Sequence, residues 1–94
     1  MGKKKVFIVY EKCVQGYETR WEDYHVYCRA TNALKKIQDV KTQDMMPIVE
    51  EENYEIRHDE PTRFEARSRY DGEKGYVCVK CVTALLEDGI VEHK

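Results

Sequence analysis

At 94 residues the chain has room for one domain and one hydrophobic core, residues 1–94. Sixteen basic residues stand against eighteen acidic ones, a formal charge of −2, which excludes a polyanion binder driven by bulk charge. With 41% apolar and 36% charged residues, a thin interior must lie beneath a densely charged surface.

Lys3-Lys4-Lys5 precede the apolar run Val6-Phe7-Ile8-Val9-Tyr10. Basic residues before an apolar run are similar to the opening of a signal peptide, but Glu11-Lys12 end the run too early for an export segment. Val6 stands where a myristoylation signal needs Ser or Thr, and no apolar stretch approaches membrane-spanning length. The expectation is a cytoplasmic protein without membrane contact, whose four cysteines are thiols or metal ligands rather than disulfides.

Val6 to Tyr10 is apolar at both parities and reads as an interior strand. Gly16 sits in a tight turn, and the returning strand carries Tyr17, Thr19 and Trp21 on one face. Its apolar set then changes parity to Tyr24, Val26 and Cys28, so a bulge is expected near Glu22-Asp23. A helix over about 32–41 follows. Thr31 or Asn32 can cap it, and Ala33, Leu34, Ile37 and Val40 form its apolar stripe. Pro47 forbids its continuation, so Met45-Met46-Pro47-Ile48 reads as a loop or a short separate turn.

A second hairpin alternates Tyr54, Ile56 and His58 with Glu55, Arg57 and Asp59. Beyond the turn at Glu60-Pro61-Thr62, Phe64, Ala66, Ser68 and Tyr70 alternate with Arg63, Glu65, Arg67 and Arg69. Asp71-Gly72 and Gly75 mark another turn, and Tyr76 to Val82 reads as a strand. Thr83 to Asp88 predicts a short C-terminal helix ended by Gly89, with residues 1–4 and 90–94 loose. Cys28 to Leu34 and Cys81 to Leu85 both run from Cys through Thr into Ala-Leu, a faint echo of a repeated β-β-α unit. The fold class is α+β, a single four- to five-stranded, mainly antiparallel sheet with the main helix on one face.

Cys78-x-x-Cys81 has the spacing of a zinc knuckle and resembles the second ligand pair of treble-clef zinc domains. The likeness covers about a dozen residues, without Gly or Pro in the knuckle and without a CxxC upstream, so Cys13 and Cys28, or His25 and His58, would complete the set. Buried in a regular strand, the two cysteines would instead face opposite ways as small hydrophobes. The same spacing in a thioredoxin-like site opens a helix, whereas Cys78 lies inside an apolar run. For other catalysis, His25 near Asp23 and His58 before Asp59-Glu60 are the candidate acid–base groups, with hairpin-surface histidines the competing reading.

Arg57, Arg63, Arg67 and Arg69 could track phosphates, but Glu55 and Glu65 interrupt them as a cross-strand salt-bridge ladder would. Aromatics crowd the first hairpin, where Tyr10, Tyr17, Trp21, Tyr24 and Tyr27 exceed what a thin core can hold, and Met45 and Met46 add soft apolar surface or lid the core. The leading expectation is a non-catalytic protein-binding module without a cofactor, acting on another protein or on itself as a homodimer. Its contact residues would be Tyr17, Trp21, Tyr24, Tyr27, Met45 and Met46. By analogy alone, small accessory or inhibitory proteins of phages and mobile elements are similar in size and plainness. The alternatives are a zinc-stabilised domain that binds nucleic acid and a small enzyme using His25 or His58.

Overall fold

A computed structural model describes residues 3–70 and 74–87. Strand β1 (Lys3–Gln15) turns at Gly16, whose φ of +64° is cheap only without a side chain, into β2 (Glu18–Tyr27). Helix α1 (Ala30–Asp39) runs through a π-helical segment, Val40–Met45, into α2 (Met46–Glu52). Strands β3 (Glu55–Glu60), β4 (Arg63–Arg67) and β5 (Tyr76–Glu87) complete the chain. The sheet order is β2-β1-β5-β4-β3, with every neighbouring pair antiparallel. This is an α+β fold with helix on one face of an open sheet.

Phe7, Val9, Glu11 and Cys13 of β1 face the helical segment. Val9 and Cys13 there meet Val77 and Val79 of β5, Phe64 and Ala66 of β4, and Ala33, Ile37, Val40, Met45 and Val49 of the helical segment. Phe64, Met45, Val9 and Val79 are wholly buried, so the thin core expected from composition lies between the two layers. Among the described residues, the other face of the sheet carries no helix.

Four expectations change. Thr83 to Glu87 does not start a helix; β5 continues through it, because Lys3–Lys5 pair with Leu85–Glu87 and the ladder's hydrogen bonds outweigh a weak local helix preference, while Asp88 and Gly89 lie outside the described residues. The β-β-α echo therefore fails in its second half, and β1 is already a strand at Lys3. Pro47 does not break the helical segment. The π-helical turn restarts the α-helix just before it, placing Pro47 in the first turn, where a missing N–H costs nothing. Asn53, at φ 57°, then ends α2 in the left-handed region.

The bulges also sit elsewhere. Cys13 pairs with Trp21 and Val14 with Thr19, which leaves Arg20, rather than Glu22-Asp23, as the extra residue. A second register shift between Ile56 and His58 makes Arg57 the extra residue of β3, so His58 joins the helix-free face opposite Glu65 instead of sharing a face with Ile56. Residues 90–94 and Asp71-Gly72 lie outside the described residues.

Candidate functional site

Glu11 is a charged residue at a core parity, between Val9 and Cys13 on the helix side of β1, and it is 4% exposed. Directly across the ladder stands Asp23, while His25 stands across from Val9 and Trp21 across from Cys13. Cross-strand partners share a face, so Glu11, Trp21, Asp23 and His25 all point to the helix side. The Trp21 indole N–H donates to Glu11 Oε1 at 2.8 Å, and His25 Nε2 lies 2.9 Å from Glu11 Oε2. Ligand atoms of Glu11, Asp23 and His25 lie within 4.8 Å of one another. The cluster opens into a cleft of about 460 Å³ whose far wall is Lys36 of α1 with Gln43 and Asp44 of the π-helical segment.

That arrangement is unusual on energetic grounds. Two carboxylates directly opposed on one face of a ladder repel. A buried carboxylate is costly unless partners offset its lost hydration. Trp21 and His25 supply those partners at Glu11, and Asp23 keeps its contact with water at the rim. Chemically the cleft can hold a cation or pass a proton between His25 and a carboxylate.

On the helix-free face, Ile8 and Tyr10 of β1 stand between Val26 and Tyr24 of β2 and Val82 and Lys80 of β5. Tyr24 is 66% exposed, Val26 63% and Val82 43%. Tyr10 donates to Glu22 Oε2 at 2.6 Å and lies 4.9 Å, centroid to centroid, from Tyr24. Burial first, and the Glu22 carboxylate second, push the Tyr10 phenol well above its usual pKa. Farther along, Glu65 accepts from Arg63 Nη2 at 2.9 Å and from Arg67 Nε at 2.8 Å, and Lys12 stands 4.0 Å from Glu22.

The contact residues expected from sequence are thus split. Tyr17 is exposed in the hairpin turn, Tyr24 is exposed on the helix-free face, and Trp21 and Tyr27 are half-buried against the core. Met45 is wholly buried and Met46 packs beside it, so the methionines belong to the core rather than to a surface loop. Of the arginines, Arg63 and Arg67 close on Glu65, Arg57 pairs with Glu55 at 3.4 Å, and Arg69 donates to the Asn53 carbonyl. The ion pairs form within single strands, Glu65 with Arg63 and Arg67 and Glu55 with Arg57, rather than as the expected ladder across the hairpin.

The cysteines do not converge. Cys78 faces the helix-free side opposite Lys12 and Glu65, Cys81 the helix side opposite Val9, Cys13 the core opposite Val77, and Cys28 is exposed beyond β2. Burial pushes the Cys13, Cys78 and Cys81 thiols above their usual pKa. His58, half-buried opposite Glu65, is 4.0 Å from Glu60. Sequence reasoning named His25 beside Asp23 but missed Glu11. The available signal was its place at the same parity as Val9 and Cys13, where a strand otherwise keeps its buried residues.

No family of known proteins, curated protein or solved structure matches the chain. Among the described residues no helix is long and apolar enough to cross a membrane.

Proposed function

We propose that the chain is a protein-binding module that acts as a homodimer, with the helix-free face of its sheet as the contact surface. The observation that carries this reading is the exposed apolar band of Tyr24, Val26 and Val82 flanking Ile8 in the middle of that face. An apolar band ringed by charge is the anatomy of an interface rather than of ordinary surface.

A second copy suits this face better than a strongly charged partner. The surrounding charges are of both signs, Glu65 beside Arg63 and Arg67 and Glu22 beside Lys12, so no single sign covers the face. A two-fold axis lying in the interface sets each apolar band on its copy. The β1–β5 ladder pairs from Lys3–Glu87 to Val14–Tyr76. At about 3.4 Å per residue and 4.8 Å per strand, the face approaches the roughly 800 Å² per partner that stable dimers bury.

Sedimentation equilibrium tests this. The expected mass is twice the chain's 11.2 kDa at micromolar concentration. Val26→Asp should give a folded monomer, and Tyr17→Ser, in the turn, should leave the dimer intact. A monomeric parent chain, or a dimer indifferent to Val26→Asp, overturns the reading.

A further inference from the structure

We propose that Glu11, Asp23 and His25 form a binding site for one divalent transition-metal ion of the zinc class, on the side of the sheet opposite the dimer face. The first support is convergence: one imidazole and two carboxylates from two adjacent strands bring ligand atoms within 4.8 Å of one another. The second is the electrostatic conflict. Glu11 and Asp23 are register partners on one face, an arrangement that costs stability in a ladder. A cation placed between them turns that repulsion into attraction. Breaches of local sequence–structure agreement of this kind concentrate at functional positions.

The third support is orientation. Trp21 holds Glu11 Oε1 at 2.8 Å, which leaves Oε2 turned toward His25 Nε2 at 2.9 Å. A hydrogen-bonded partner that fixes a ligand in this way is the usual outer shell of a metal centre. Zinc binds nitrogen and oxygen at about 2.0–2.2 Å, so two tetrahedral ligands stand about 3.4 Å apart. The Glu11–His25 pair therefore needs to open by roughly half an ångström as the ion replaces the proton between them. The His25 side chain is 33% exposed and the Asp23 side chain lies at the rim, so both can swing.

The donor set selects the ion. An imidazole favours zinc, cobalt and their neighbours, while calcium and magnesium ask for six or more oxygens. Three protein ligands leave a fourth position facing the cleft, where water or a small ligand completes the shell between Gln43 and Asp44. π-Helical turns such as Val40–Met45 recur at functional sites, and this one supplies that far wall. Lys36, which lines the same cleft, is the competing cation.

The test uses the full chain with Zn²⁺ by equilibrium dialysis and with Co²⁺ by visible absorption. One ion per chain is expected at micromolar affinity, with a cobalt d–d spectrum free of thiolate charge transfer. Asp23→Asn, at the exposed rim, should weaken binding about 10-fold or more while the circular dichroism stays unchanged. Glu11→Gln and His25→Ala should abolish it. Trp21→Phe should cost less than removing a ligand, and Lys36→Ala should leave binding equal or tighter. The proposal is overturned by no stoichiometric binding, by binding that survives Asp23→Asn together with His25→Ala, or by a cobalt–thiolate band lost in Cys78→Ser. Dimerisation measured with and without chelator keeps the outcome separate from the reading of the helix-free face.

Discussion

Replacing Glu65 by Gln gives a quantitative test of how the helix-free face is held. Glu65 is 7% exposed and accepts two arginine hydrogen bonds, at 2.9 and 2.8 Å. Burial alone would raise its pKa. The hydrogen bonds from Arg67 and Arg63, aided by their charges, outweigh that and hold the carboxyl below its usual value. Charge-assisted bonds contribute up to about 1.5–3 kcal/mol each when dry. Here the Arg63 and Arg67 side chains are 43% and 53% exposed, so solvent screening brings each pair down toward the exposed range. About 0.2–1 kcal/mol apiece gives a total of about 1 kcal/mol.

The sign with pH follows from the depressed pKa. The stabilisation is complete above the unfolded carboxyl's pKa, about 4.3, and disappears as pH falls through the lower folded value. Urea unfolding, which adds no salt, should show Glu65→Gln less stable by about 1 kcal/mol at pH 7. At an acid pH below the lowered folded value, where both proteins carry a neutral side chain, the difference should shrink to a few tenths. A difference that is absent at pH 7, or equal at both pH values, refutes the ion-pair account.

Gly75→Ala should destabilise by about 1–3 kcal/mol, since its Cβ would strike the Tyr54 hydroxyl and sit 2.9 Å from Cζ. A thermal-melt double-mutant cycle should show a smaller penalty in a Tyr54→Phe background, and equal penalties would disprove the clash. Ile37→Ala, at 2% exposure in the core, should cost about 2–5 kcal/mol by chemical unfolding. Cys28, exposed, should be alkylated well before Cys13, Cys78 and Cys81, whose thiols burial keeps protonated, as peptide mass mapping over time would show.

Much of the fold is legible in local pattern. The apolar run Val6–Tyr10, the Gly16 turn, the Ala33–Ile37–Val40 stripe and the alternation around Phe64 and Ala66 each reflect a periodicity or a backbone constraint carried by neighbouring residues. Arginines and glutamates were expected to pair across the hairpin; they pair along β4 instead, because side chains two apart on a strand share a face. Three things needed the assembled sheet. Thr83-Ala84-Leu85-Leu86 has no strand signal of its own and became strand only because Lys3–Lys5 lay beside it with unpaired backbone groups. Pro47 looked like a stop because a sequence does not announce the π-helical turn that resets the register before it. The Glu11–Asp23–His25 cluster depends on which residues stand opposite across β1 and β2. That register is fixed by the bulge at Arg20 and by the turn at Gly16 together, and moving it by one residue would send Asp23 and His25 to the other face.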